Sequence, residues 1–172
     1  MNKQSLLAIF ICAFLLACTP LPPASKVDLT VIIKEGSVIP ANGISSTGQP
    51  NAAAFKVFAN SGYKTVIDLR GIKEKRGLNE PAVLSSLGLK YIQLPIENAD
   101  AISFDNAAKL DQLIGEADGP ILLHCGSGNR VGALLTLRES LHGKSDSYAL
   151  TVGKNAGLTG LKPVVVDILR AN

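Results

Sequence analysis

Several simple functional classes are excluded by what this chain lacks. It has two histidines and three cysteines with no closely spaced pair, so the ligand sets of structural zinc sites are missing and no metal is expected. Lys and Arg number 17 against 14 Asp and Glu, a net charge of +3 that gives no ground for nucleic-acid or broad membrane-surface binding. The uncharged apolar run Leu6–Ala17 falls short of the roughly 20 residues a spanning helix needs. There is no internal repeat, and no low-complexity tract apart from a short proline-rich stretch.

That apolar run, behind the basic Lys3, suits the hydrophobic region of a secretory leader. Its end, Leu15-Leu16-Ala17-Cys18, resembles the lipobox of bacterial lipoproteins. The resemblance implies cleavage after residue 17, acylation of Cys18, and an extracytoplasmic protein held at a membrane by its lipid. Thr19 follows where an inner-membrane retention signal has Asp. Residues 18–26, with Pro20, Pro22 and Pro23, read as a stiff tether, and residues 27–172 as one domain. A cleaved, unlipidated secretory protein is the alternative. With Cys12 lost in the leader and Cys18 acylated, Cys125 is the single free thiol of the mature chain, so no intramolecular disulfide is expected. The expected mature protein is a monomer. An unpaired thiol in an oxidising compartment is a liability unless it is buried and inert or its chemistry is used.

Turn residues divide the domain into alternating strands and helices. Val27–Ile33 and Ser37–Ile39 read as extended, and Ser45–Pro50 as a polar turn. Asn51 is placed to cap a helix from Ala52 to Ser61, and Asn79 one from Glu80 that ends at Gly88. Thr65–Leu69 and Leu89–Leu94 are strands, each followed by a loop, Arg70–Gly77 and Pro95–Ile102. Ser103 opens a helix through Ala117, with Phe104, Ala107, Ala108, Leu110, Ile114 and Ala117 on its apolar face. The strand Ile121–Leu123 comes next, then helices at Val131–Leu141, Ser145–Asn155 and Leu161–Ala171. This alternation predicts an α/β fold with a mostly parallel sheet and helices on both faces, its ligand site at the carboxyl ends of the strands.

His124-Cys125-Gly126-Ser127-Gly128-Asn129-Arg130 lies at one such end, between a strand and a helix N-terminus. A glycine-bearing loop there aims several N–H groups and the positive end of a helix at one small volume. Helix N-termini and nearby cations favour the thiolate of a cysteine. The planar fork of Arg130 matches two oxygens of a tetrahedral anion, a geometry lysine cannot copy. Gly126 and Gly128 let the backbone approach that anion. His124 cannot easily point into the loop beside Cys125, so it reads as a hydrogen-bonding residue that orients the loop from behind.

His124-Cys125, Gly128 and Arg130 resemble the active-site loop of cysteine-dependent protein tyrosine and dual-specificity phosphatases. Gly48-Gln49-Pro50, Thr65–Arg70, Gly88–Pro95 and His124–Gly132 recur in this order in the bacterial beta-lactamase-hydrolase-like phosphatase family, a resemblance spanning Ile44 to Pro163. It implies Cys125 as nucleophile, Arg130 as phosphate clamp, and the amides of Gly126, Ser127, Gly128, Asn129 and Arg130 as the cradle. It also implies a phosphate-bearing substrate, no cofactor, and a general acid from the Pro95–Ile102 loop. Asp100 is the first choice there and Glu97 the second, with Asp105 already in the next helix.

Two departures keep alternatives open. Cys125 to Arg130 spans six residues rather than the common seven, a spacing that resembles rhodanese-type sulfurtransferases, whose loop cradles a persulfide. Val131 stands where many phosphatases have Ser or Thr, which leaves room for a catalytically weak oxyanion-binding domain. Asp68 and Arg70 line the cleft or form an ion pair that fastens the loop. Lys73, Lys75 and Arg76 read as a solvated loop face, with attraction of an anionic substrate as the alternative, His142 as a helix C-terminal cation, and Gly157–Gly160 as a turn between helices.

Overall fold

The structure is a computed structural model that describes residues 24–40 and 43–171. The expected leader, Cys18 and the tether up to residue 23 lie outside the described residues. Among the described residues five strands form one sheet: β1 (Ser25–Lys26), β2 (Ile44–Thr47), β3 (Thr65–Asp68), β4 (Lys90–Gln93) and β5 (Ile121–His124). Their order is β1-β2-β5-β3-β4 and every neighbouring pair is parallel. Parallel neighbours need crossovers, and among the described residues seven helices follow the strands: α1 (Leu29–Glu35), α2 (Ala52–Asn60), α3 (Glu80–Ser86), α4 (Phe104–Gly115), α5 (Asn129–Leu141), α6 (Asp146–Asn155) and α7 (Lys162–Arg170).

The strand period of two sorts β5 between two cores. Ile121, Leu123 and Cys125 pack with Leu110 of α4, Val131 and Leu134 of α5 and Val165 of α7. Leu122 faces the other way, toward Ile32 of α1, Phe55 and Phe58 of α2, Tyr63 and Leu84 of α3. The expected two-faced α/β architecture is therefore present, with the cysteine at the carboxyl end of the central strand.

The helix starts expected from capping residues form as read. Asn51 Oδ1 accepts from Ala54 N at 2.9 Å, Asn79 Oδ1 from Ala82 N at 3.3 Å and Ser103 Oγ from Asn106 N at 3.2 Å. Each such cap stabilises its helix by about 1 kcal/mol.

Four expectations near the start are corrected. The Val27–Ile33 segment is mostly helix α1, because Asp28 Oδ1 accepts from Thr30 N at 2.8 Å and Val31 N at 3.2 Å, and Gly36 ends the helix with φ 71°. Strong caps at both ends override a β-branched run whose strand preference is a weak prior. Ser37–Ile39 forms no strand. The Ser45–Pro50 turn begins inside β2 instead. Its hydroxyls look like turn chemistry, yet they are buried and bonded: Ser45 Oγ to Tyr63 Oη at 2.5 Å and Ser46 Oγ to the Ala156 carbonyl at 2.5 Å. Ser25 and Lys26, read as tether, pair with Ser45 and Ser46, and Ala24 is buried, so the domain extends to Ala24.

Helix α5 is buried along nearly its whole length, from Val131 through Leu137. It crosses α6 so closely that a Cβ on Gly132 would overlap Leu158 N, and one on Gly153 would overlap the Thr136 hydroxyl. These glycines seat α5 deep in the fold and so fix where its N-terminus emerges.

Candidate active site

Strand β5 ends at His124 and α5 begins at Asn129, leaving Cys125 to Gly128 as the turn between them. Gly128 has φ 89°, which a side chain would strain, and this turns its N–H inward. Cys125 Sγ accepts that N–H at 3.1 Å and is buried at 1% exposure, at the floor of the loop. Neighbouring backbone holds the loop from below: Cys125 N donates to the Thr47 carbonyl at 3.4 Å, and Gln49 N donates to the Gly126 carbonyl at 3.3 Å. A Cβ on Gly48 would stand 3.0 Å from the Gly126 oxygen, so the Gly48-Gln49-Pro50 turn needs its glycine to lie this close.

Arg130, one residue into α5, folds back over the loop, its Nη2 lying 3.6 Å from the Cβ position of Gly126. Nη1 donates to the Ile96 carbonyl at 2.9 Å, to the Leu69 carbonyl at 3.5 Å, and to Glu74 Oε1; Nη2 donates to Glu74 Oε2 at 2.9 Å. Among the described residues Nε donates to no oxygen acceptor, so Nε–H and the second Nη2 hydrogen form an edge close to the Cys125 sulfur with no oxygen partner. The Glu74 hydrogen bond, and then the nearby Cys125 side chain, hold the Arg130 pKa above its ordinary value against the opposing effect of burial. The same pair draws the Glu74 carboxyl down to about 2, with Gly71 N and Arg70 assisting.

Residues 40–156 match the model of a family described as "DSP-PTPase phosphatase fused to NAD+ Kinase". The chain belongs to this family. Similar curated proteins are the beta-lactamase hydrolase-like proteins of Agrobacterium fabrum strain C58, 30% identical over 105 residues, and of Xylella fastidiosa strain Temecula1, 32% identical over 107 residues. Each alignment covers 59% of this chain and 24% of the relative, so the chain spans about a quarter of the length of the curated relatives it matches. The fold is similar to that of a candidate phosphatase from Neisseria meningitidis Z2491, with TM-score 0.65 and 24% identity over 76% of this chain and 94% of that one. Family and fold are those of the cysteine-dependent tyrosine and dual-specificity phosphatases.

In this phosphatase-like domain the residues expected at the site fall into three groups. Cys125, Gly126, Ser127, Gly128 and Arg130 make the loop itself. Asn129 turns its side chain away: Oδ1 accepts from Thr159 N at 2.8 Å and Leu161 N at 3.3 Å, fastening the α6–α7 turn to the loop. These two bonds use only the side-chain oxygen, so the Nδ2 amide and the main chain are the groups left to face an anion. Beside Arg130 lies a hollow of about 280 Å³ lined by Glu97, Asn98, Ala99, Ser127, Asn129, Arg130 and Leu161. Asp100 sits in a short 3₁₀ turn, Ala99–Ala101, exposed and outside that lining, whereas Glu97 is within it. Glu97 Oε1 accepts from Ile72 N at 2.9 Å and so ties the loops after β3 and β4 together.

His124 is fully buried on the opposite face from Cys125, its ring edge-on to Phe55 at 6.0 Å between centroids. Nε2 meets Glu80 Oε1 at 2.7 Å, and Glu80 Oε2 accepts from Gln49 Nε2 at 2.9 Å. Gln49 Oε1 accepts from Arg70 Nη1 at 2.5 Å, and Arg70 Nε donates to Glu74 Oε2 at 3.0 Å. A continuous polar chain therefore runs from His124 behind the cysteine to Glu74, which holds Arg130 above it.

Asp68 and Arg70 both fasten the loop after β3, though their side chains do not pair with each other. Asp68 Oδ2 accepts from Arg76 Nε at 2.6 Å and from Tyr91 Oη at 2.9 Å, and Arg70 pairs with Glu74. Burial first, and then the Asp68 carboxylate, push the Tyr91 hydroxyl pKa upward, so it stays a donor. Arg76, expected on a solvated face, is instead largely buried against Asp68 and the carbonyls of Arg70, Gly71 and Glu74; Lys73 and Lys75 are exposed. Asp68, Glu80 and His124 offer ligand atoms within 4.8 Å of one another. Both Asp68 oxygens already accept from Arg70 N, Arg76 and Tyr91, and the two Glu80 oxygens meet His124 and Gln49. The guanidinium thus supplies the positive charge a metal would bring.

Glu74 is the site residue that sequence reasoning missed. It lies 56 positions from Arg130, and its local signal, an acid four residues after Arg70, also fits an ordinary surface pair. His142 meets Asp111 at 3.2 Å at the end of α5; burial opposes, but His142 and Arg138 hold Asp111 below its ordinary pKa. Gly157–Gly160 lies between α6 and α7, as read.

Proposed function

We propose that this chain hydrolyses phosphate monoesters through a phosphocysteine on Cys125. The observation that carries the reading is the Gly128 N–H donated to Cys125 Sγ at the start of α5, beside a guanidinium whose Nε meets no oxygen acceptor among the described residues. That arrangement supports the thiolate and leaves donors for the phosphoryl oxygens. In the first step the sulfur attacks phosphorus: the P–S bond forms, the ester P–O bond breaks, and the leaving oxygen takes a proton from a general acid. In the second, water gives a proton to the now ionised acid as it attacks phosphorus, the P–S bond breaks with its electrons returning to sulfur, and inorganic phosphate leaves. Glu97 suits the acid role better than Asp100, since it borders the hollow over Arg130. Val131 is fully buried in the core and offers no hydroxyl to help the thiolate depart, which supports a slow second step.

The decisive assay gives one preparation of the full chain an aryl phosphate and, separately, thiosulfate with cyanide. Phosphate release is expected, with Cys125→Ser abolishing it. Release untouched by Cys125→Ser overturns the mechanism. Thiocyanate formation with a Cys125 persulfide visible by intact mass would favour sulfur transfer, the reading that the six-residue Cys125–Arg130 spacing keeps in view. Arg130-dependent phosphate binding without turnover of either substrate would leave an oxyanion-binding domain.

The place of action is a separate proposal, resting on Leu15–Cys18: an extracytoplasmic lipoprotein. Cells expressing the full chain should carry it in the membrane fraction with lipid label, and Cys18→Ser should remove both. A leaderless soluble form beginning elsewhere would overturn it.

A further inference from the structure

Lys26 ends β1, and β1, β2 and β5 run parallel side by side, so Lys26 and Cys125 emerge at the same edge of the sheet. Its side chain does not stand free. A Cβ on Gly128 would lie 3.3 Å from Lys26 Cε, and one on Gly157 would lie 3.1 Å from Cδ. The stem therefore rests against two glycines, one of them the residue that turns the cysteine loop into α5. Both have positive φ, 89° and 108°, so side chains there would be strained as well as crowding the lysine.

Beyond this slot the lysine borders a hollow of about 550 Å³ lined by Lys26, Val27, Asp28, Leu29, Thr47, Gly48 and Ser127. Ser127 also lines the hollow at Arg130, so the tip of the cysteine loop separates the two. The charges around the loop are otherwise committed: Arg130 and Arg70 to Glu74, and Arg76 to Asp68. Among the described residues no carboxylate forms an ion pair with Lys26. Asp28, on the same wall, directs Oδ1 to the amides that open α1.

We propose that Lys26 and this hollow form a second anion subsite, selecting phosphate monoesters that carry another anionic group, a carboxylate or a second phosphoryl, beside the scissile phosphate. Val27 and Leu29 offer apolar wall for the body of such a substrate, and Lys26 meets its far charge. The proposal rests on the phosphatase reading above and adds the substrate class to it. An exposed cation in water supplies selectivity of modest size, screened by salt.

The test compares phenyl phosphate with its ortho-, meta- and para-carboxylated analogues and with benzene-1,4-diyl bisphosphate, using the full chain at low ionic strength. The readout is the ratio of KM for phenyl phosphate to KM for each doubly anionic ester, which in the variants cancels differences in leaving group. The unaltered chain should favour at least one doubly anionic ester by roughly threefold to fivefold, the range of an exposed ion pair. Lys26→Met should bring that ratio to its value for a neutral contact, near one, and Lys26→Arg should keep it. Preference for the carboxylates alone or for the bisphosphate alone assigns the second group and supports the subsite either way. Turnover with no such preference, or with a preference that Lys26→Met leaves in place, overturns the subsite and spares the phosphatase reading. Absence of turnover with every ester would instead bring down the reading beneath it.

Discussion

Arg130→Lys should lower kcat/KM for an aryl phosphate by roughly 10²–10³-fold, the cost of losing one positioned donor to a developing oxyanion. Charge survives this change, so a purely electrostatic role would make it mild. The expected loss comes from geometry. The guanidinium uses one edge to bond Glu74 and the Ile96 carbonyl while leaving the Nε edge for substrate, and an ammonium cannot face both ways. Glu74→Gln tests the same idea from the other side. It keeps a hydrogen-bond acceptor but removes the charge that orients Arg130, so the expected loss is smaller and falls on both kcat and phosphate affinity. The pH dependence has a definite sign. Glu74 titrates near 2 in the folded chain against an ordinary value of 4.5, so its pair with Arg130 is fully present above about 4.5 and is lost as pH falls toward 2. The stability difference between the unaltered chain and Glu74→Gln, followed by chemical denaturation, should shrink across that window. A difference that stays flat there would mean the pair is not what holds Glu74.

The parts legible in the sequence were those whose signals are local. Asn51, Asn79 and Ser103 cap the helices they were expected to cap, and the glycine-rich turn between a strand and a helix places Cys125 by short-range geometry alone. Legibility failed where a distant partner reverses the local signal. Ser45 and Ser46 look like turn residues until Tyr63 Oη and the Ala156 carbonyl are brought to them. Val31, Ile32 and Ile33 look like a strand, but only Ile32 reaches the core, and the Asp28 and Gly36 caps decide the element. The site follows the same rule. The cysteine loop could be read as a unit, whereas the polar chain His124–Glu80–Gln49–Arg70–Glu74–Arg130 joins four stretches of sequence that only the parallel sheet brings together. Gln49 belongs to a recurring tripeptide, yet its task, bonding Arg70 and Glu80 while its N–H holds the Gly126 carbonyl, is visible only in three dimensions.

The acid offers the sharpest contest between sequence and geometry. If Glu97 protonates the leaving oxygen, Glu97→Gln should slow turnover of esters with poor leaving groups by roughly 10²–10⁴-fold, the usual contribution of a positioned acid. Esters whose leaving group departs as a stable anion need little protonation and should lose far less. Asp100→Asn should then be nearly silent, in keeping with its exposed place outside the hollow at Arg130. Glu97 also accepts from Ile72 N, so its replacement by Gln, which keeps an acceptor oxygen, separates proton transfer from the tie between the two loops. A loss equal for good and poor leaving groups would assign Glu97 to that tie rather than to proton transfer. A loss confined to Asp100→Asn and graded by leaving group would mean that the loop after β4 rearranges over substrate to bring Asp100 in. Two silent variants would leave protonation to water, and the slope of rate against leaving-group acidity would then be steep in the unaltered chain itself.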